Sequence, residues 1–102
     1  MKTKFEIWVE KVDKQRKDYW DKNFTHKEYT PLRIDKGRKY IRLWDNTSAW
    51  GFVSMVDGIN KGSVVKKGDL LKPANWKSPA KHSRGNIFDG TEKWDYYGPS
   101  YL

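Results

Sequence analysis

Cysteine is absent from the 102 residues, which excludes a disulfide framework and any thiolate-held metal. Histidine is scarce, with only His26 and His82 and no H-E-x-x-H, so a zinc site would have to be assembled from carboxylates. No metal and no cofactor are expected. No P-loop, Gly-rich dinucleotide fingerprint or internal repeat occurs. Apolar runs stay far short of the ~20 residues that span a bilayer. The first residues, MKTKFEIWVEKVDK, lack the apolar centre of a signal peptide. A cytosolic protein without a membrane partner is the expectation, and the lack of cysteine fits a reducing compartment.

What is present is aromatic and cationic. Charged residues make up 33% and mean hydropathy is −1.00, values that border on those of disordered chains. Such chains are poor in aromatics, whereas this one is 16% aromatic with six tryptophans. A few large side chains can then bury much apolar area each, and the length suits one domain, 1–102, not two. The net charge of +8 is unevenly spread: residues 61–87 hold seven Lys/Arg against one Asp. A concentrated positive potential of this kind draws in anions.

The N-terminal stretch predicts a helix. Thr3 and Glu6 have capping-box spacing, and Phe5, Trp8, Val9, Val12, Tyr19 and Trp20 recur at helical period with Arg16 filling the gap in the stripe. The helix is expected over 4–22 as a lid on a sheet, within a segment 1–22. Pro31 and Gly37 punctuate a connection with a short edge strand at Leu32–Ile34. A β-meander over 38–73 follows, since RKYIRLW and AWGFVSMV flank the hairpin loop DNTS, and the pairs Val64–Val65 and Leu70–Leu71 suggest further strands. Pairing Trp44 with Ala49 sets Arg42 against Gly51 and Tyr40 against Val53, leaving Ile41, Leu43, Trp50 and Phe52 for the core. The side bearing Tyr40, Arg42 and Trp44 has two readings: an aromatic-cationic platform on which a base stacks, or the seat of the helix, with Gly51 allowing close approach. We favour the helix, leaving Tyr40 and Trp44 at its rim as ligand contacts.

Residues 72–88, KPANWKSPAKHSRGNIF, carry four cations and no carboxylate. Ser78-Pro79 reads as an N-cap followed by proline at the first helical position, and Gly85 as a left-handed terminator. A short helix at 79–84 is therefore expected after a turn anchored by Trp76, making this a basic loop–helix segment. The resulting fold class is α+β: an N-terminal amphipathic helix on a small antiparallel meander, plus that second helix. Lys72, Lys77, Lys81 and Arg84 supply charge, Trp76 a stacking face, and Ser78, His82 and Asn86 finer polar contacts. The bland alternative is a loop fixed by Trp76 and the prolines, its lysines merely solvated.

The strings GRKYIRLW, WGFV, GDLLKPANWKSPAKHSRGNIFDG and YGPSYL together resemble a group of small tailed-bacteriophage proteins of unknown activity. That group is marked by a G-R-K-Y strand, a W-K-x-P-A-K-H-x-R-G-N block and a C-terminal Y-G-x-x-Y-L. The resemblance covers residues 37–102, about two thirds of the chain. Pro73 and the extra turns between Val56 and Asp69 depart from the simplest form of the pattern. It implies a phage origin and a location in the host bacterial cytoplasm, and transfers no catalytic residue.

Three function classes follow. A non-catalytic phage accessory protein that binds nucleic acid or a phosphate-bearing nucleotide ranks first, through Lys72, Trp76, Lys77, Ser78, Lys81, His82, Arg84 and Asn86 with Tyr40, Arg42 and Trp44. The alternative is a counter-defence protein that sequesters a signalling nucleotide or docks on and inhibits an acidic host protein. Catalysis is not expected: His82 between Lys81 and Arg84 offers one general base for RNA cleavage, but no second acid–base partner accompanies it. Oligomeric state is not readable from these residues.

Overall fold

The computed structural model describes residues 2–24, 28–45, 48–60, 62–75, 77–96 and 98–100. Helix α1 spans Lys4–Asn23, and among the described residues nine strands follow: β1 (Arg33–Lys36), β2 (Tyr40–Asp45), β3 (Ser48–Ser54), β4 (Gly58–Asn60), β5 (Ser63–Val65), β6 (Asp69–Pro73), β7 (Pro79–Asn86), β8 (Trp94–Asp95) and β9 (Gly98–Pro99). The main sheet is antiparallel with order β1-β2-β3-β6-β7, while β4-β5 and β8-β9 form separate hairpins. Among the described residues no helix is long and apolar enough to cross a membrane.

The helix begins where its capping box lies. Thr3 Oγ1 accepts from the Glu6 N–H at 3.1 Å, and the Glu6 carboxylate accepts from the Thr3 N–H at 3.3 Å, satisfying two donors that the first helical turn leaves open. Phe5, Trp8, Val9 and Val12 then pack on Ile41, Leu43, Val53, Leu70 and Ile87. Each fully buried side chain of this kind contributes roughly 1.5–3 kcal/mol by removal from water. The segment that starts β1 joins this core through Leu32.

The expected second helix is corrected to a strand. Residues 79–86 are β7, paired antiparallel with β6 through Asp69↔Asn86, Leu71↔Ser83 and Pro73↔Pro79, so the α+β description with a helix near 79–84 does not hold. Among the described residues α1 is the sole helix. The local signals were real but served another end. Ser78 accepts the N–H groups of Ala74 and Asn75 through its carbonyl, at 3.0 and 3.3 Å, closing a turn rather than capping a helix. Pro79 opens the strand, where a missing N–H is tolerated. Gly85 has φ of +97° and sits against the Thr91 carbonyl, which a Cβ would meet at 2.1 Å, so its freedom serves close approach. Isolated short helices are weak in water, and here the ladder to β6 prevails.

The β2-β3 register also differs. Trp44 does pair with Ala49, but Leu43 pairs with Gly51, so Trp50 is an extra residue in a bulge and the remaining pairs become Arg42↔Phe52, Ile41↔Val53 and Tyr40↔Ser54. The bulge keeps Trp50 on the helix side, where its Nε1 donates to the Tyr96 carbonyl at 2.9 Å and its ring lies 6.4 Å from Trp8 and 6.0 Å from Trp94. Beyond the bulge the side chains of β3 change face relative to the expected pairing. Phe52 accordingly leaves the main core and packs with Leu71, Val65 and Tyr40 on the opposite face. The expected seat of the helix over Tyr40, Arg42 and Trp44 is therefore wrong. Gly51 does allow close approach, but it admits the Pro99 ring, which a Cβ would meet at 2.9 Å.

Among the described residues two charged side chains are buried, Asp69 and, more deeply, Arg16. Arg16 is 1% exposed and pairs with Asp45 at 2.9 Å. It also donates to the Tyr29 hydroxyl at 2.7 Å and the Tyr96 carbonyl at 3.2 Å, with its guanidinium 4.5 Å from the Tyr96 ring centre. Asp13 completes the cluster by accepting from the Tyr29 hydroxyl at 2.6 Å and the Leu32 N–H at 3.0 Å. The Asp45 side chain is 33% exposed, so losing Arg16 leaves a partly solvated carboxylate and costs less than the about 3–5 kcal/mol of breaking a fully buried ion pair. Arg16→Ala should therefore lower urea-denaturation stability by roughly 2–3 kcal/mol, and Arg16→Met by less because it refills the volume.

Burial, reinforced by the hydrogen bond to Asp13, raises the Tyr29 phenol above its ordinary value of 10.0. The folded state thus holds this proton more tightly than the unfolded chain. Its contribution is complete below pH of about 10 and is lost as pH climbs towards the folded value. The thermal midpoint should fall above that pH, and Tyr29→Phe should show a shallower fall in the same titration.

Candidate functional site

The face of the sheet turned away from α1 holds a recess of about 210 Å³, lined by Asp35, Arg38, Lys39, Tyr40, Arg42, Phe52 and Lys77 with Gly37. Four cations thus face one carboxylate. Strand alternation sends Tyr40 and Arg42 to this face while Ile41 and Leu43 enter the core. The Gly37–Tyr40 turn, closed by the Gly37 N–H on the Tyr40 carbonyl at 2.9 Å, holds Arg38 and Lys39 at the mouth. Lys77 arrives from the β6-β7 turn, where Asn75 Oδ1 accepts the N–H groups of Lys77 at 2.8 Å and Ser78 at 3.0 Å. This side-chain bracket fixes the tip of the turn.

Arg42 is the floor of the recess. Its Nη1 lies 3.4 Å from the Asp35 carboxylate, and its guanidinium lies 5.3 Å from the Trp44 ring and 5.7 Å from the Phe52 ring. Arg33 covers Trp44 at 5.1 Å. These distances fall within cation–π range, so the row Arg33–Trp44–Arg42–Phe52 alternates cation and ring. Tyr40 stands edge-on to Phe52 at 6.3 Å, and burial pushes its phenol up from the ordinary value. It therefore remains a neutral donor at pH 7. Chemically the recess offers guanidinium forks, ammonium groups and a phenol hydroxyl, the donor set for an oxyanion such as phosphate.

The expected ligand set divides. Tyr40, Arg42 and Lys77 meet in the recess, with Trp44 adjoining it, whereas most of the basic segment goes elsewhere. Lys72 Nζ donates to the Pro99 carbonyl at 3.1 Å and Arg84 Nε to the Ser100 carbonyl at 2.9 Å. Arg84 also donates to the His82 carbonyl. Both cations thus tie down the C-terminal strand. Asn86 is an internal brace: its amide donates to the Lys67 carbonyl at 2.9 Å and to Asp69 at 3.0 Å, and its oxygen accepts from the Phe88 N–H at 2.8 Å. Lys81 and His82 are exposed on the edge strand β7, the latter with Nδ1 3.5 Å from Ser63 Oγ. Ser78 belongs to the turn. Trp76 and His26 lie outside the described residues. The described cations of 61–87 therefore do not converge as a group; one of them, Lys77, joins a cluster built mainly by residues 35–42.

Arg38 and Lys39 were passed over as part of a strand, although the run RKY beside Arg42 already held three cations within five residues. Among the described residues no three His, Asp or Glu side chains gather as a metal site would require.

The architecture defines a small helix-capped antiparallel sheet with a basic recess on the face turned away from the helix. The chain belongs to a family of unknown function, DUF7717, whose pattern matches residues 4–99, α1 included. No curated protein and no solved structure matches it.

Hydrogen bonds to charged groups are worth roughly 1.5–3 kcal/mol each when shielded, less where water reaches them. Lys72→Ala with Arg84→Ala should lower stability by about 2 kcal/mol and speed amide exchange at Gly98 and Ser100. Arg38→Glu with Lys77→Glu, both at exposed positions, should leave the melting temperature within a degree or so of the parent.

Proposed function

We propose that the protein binds phosphate groups of nucleic acid through the recess formed by Arg38, Lys39, Tyr40, Arg42 and Lys77. The observation that carries this reading is the meeting of four cations from two distant segments, 38–42 and 77, around one small volume with a single opposing carboxylate. A volume of about 210 Å³ lies below the roughly 300–1,000 Å³ that encloses whole small ligands. It suits one phosphate of a longer chain, with neighbouring bases laid over the open face towards Trp44 and Arg33. Base stacking on aromatic and guanidinium planes contributes without demanding sequence.

The resemblance to tailed-phage proteins supports a phage origin and action in the host bacterial cytoplasm, as a non-catalytic accessory or counter-defence factor. A second reading, capture of a signalling nucleotide, is favoured by the clustering of Arg38, Lys39 and Arg42 at one turn rather than along a stripe. Docking of the same basic surface on an acidic host protein is a third.

The test is fluorescence anisotropy with labelled single-stranded DNA and RNA at about 50 and about 200 mM salt, beside calorimetry with linear and cyclic nucleotides. Polymer binding should weaken steeply with salt, and Arg38→Glu/Lys77→Glu should lower the slope of log K against log salt by about one per lost phosphate contact. Lys81→Glu should change it little. Salt-insensitive, saturable nucleotide binding would favour sequestration, and no binding of either would remove the phosphate reading.

A further inference from the structure

A second recess opens on the other side of the sheet, at the start of α1. It encloses about 870 Å³ and is walled by Phe5, Ile34, Ile41, Val53, Met55 and Phe88, within the size range of small-molecule sites. Lys4, Lys36 and Lys67 also line it. The one carboxylate among its lining residues, Glu6, is engaged with Thr3 in the helix cap. Among the described residues, none of the three lysines has a carboxylate partner within ion-pair distance.

Two walls stay apolar at the surface where a purely structural residue would turn inward. Ile34 is 39% exposed and Phe88 is 42% exposed. Its neighbour Ile87 enters the core, whereas Phe88 does not. Phe88 is instead fixed at the recess. Its N–H donates to Asn86 Oδ1 at 2.8 Å, and its ring lies over Gly68, where a Cβ would meet it at 2.4 Å. Gly68 has φ of +92°, a conformation that favours glycine, and any side chain there would push the ring away. Asn86 and Gly68 thus act together to hold an aromatic wall in place.

We propose that this recess binds a small amphiphile: an apolar chain or ring body against Phe5, Ile34, Met55 and Phe88, and one anionic head group between Lys4, Lys36 and Lys67. The apolar walls give the body a dry contact surface. The excess of ammonium groups over carboxylates selects an anion over a neutral or cationic head. Lysine, a rotatable point charge, suits a carboxylate or a phosphate equally. The site is separate from the basic recess and does not depend on its function.

The experiment is calorimetric titration of the full chain with dodecanoate, dodecyl phosphate and dodecanol, each below its aggregation concentration. Saturable one-to-one binding of either anion, with a negative heat-capacity change, is expected; which anion binds tighter assigns the head group. Lys36→Glu/Lys67→Glu should weaken anion binding by about tenfold or more, and Ile34→Asp should abolish it, with melting temperatures near the parent's. Arg38→Glu/Lys77→Glu should leave it unchanged, which separates this site from the nucleic-acid reading. Absence of saturable binding, equal affinity for dodecanol, or indifference to the lysine reversals would overturn the proposal.

Discussion

Arg16 is the tie on which the layering depends. Four separate parts of the chain meet at its guanidinium: α1 carries it, β2 ends on its partner Asp45, and Tyr29 and Tyr96 bring in the segment before β1 and the turn between β8 and β9. A charge this deeply buried must be paired and hydrogen-bonded, or its desolvation would destabilise the fold. Its value lies less in net stability than in specificity. An apolar side chain at that position would bury well against many neighbours, whereas a guanidinium demands this carboxylate, this phenol and this carbonyl together. It fixes which end of the helix lies over which end of the sheet, as polar groups buried in other cores fix register.

From that arrangement the bulge at Trp50 follows as a packing requirement. The helix side of the sheet must hold Trp8, Trp50 and Trp94 in contact, and the indole N–H of Trp50 needs the Tyr96 carbonyl. A regular hairpin would alternate Trp50 and Phe52 together. The extra residue separates them, so that Trp50 faces the helix and Phe52 the outer face. The basic recess owes its aromatic wall to this one-residue step, because Phe52 then lies across from Arg42.

These points explain what the sequence disclosed and what it hid. Helix α1 was legible to within a residue because two local devices agree, the Thr3–Glu6 capping box and an apolar stripe of helical period. Strands β2, β3, β5 and β6 were legible from apolar runs and turn residues. The segment 79–86 was not. Ser-Pro and a later glycine satisfy the rules for a helix and those for an edge strand alike, and the deciding term, pairing with β6, is non-local. The bulge was hidden for the same reason, since nothing around Leu43 or Trp50 states that three tryptophans will meet. Charge density along the chain was a poor guide to charge density in space: Lys72 and Arg84 turn to backbone carbonyls of the last strand, while Arg38 and Lys39, in a stretch with only a modest excess, reach the recess.

The two recesses are built from alternate residues of the same strands. Asp35, Tyr40 and Phe52 line the basic one; Lys36, Ile41 and Val53 line the apolar one. Because a strand turns successive side chains to opposite faces, neither site can shift along the sheet without the other, and a slip of one residue would exchange their linings. The edge strand β1 and the turn at Gly37 therefore carry a double constraint. That constraint gives the surface strand Arg33–Lys36, which contributes little to the core, a reason to keep its register. Asp35 restrains Arg42 on one face while Lys36 stands at the mouth of the apolar recess on the other, and only the pairing Asp35↔Arg42 and Lys36↔Ile41 satisfies both.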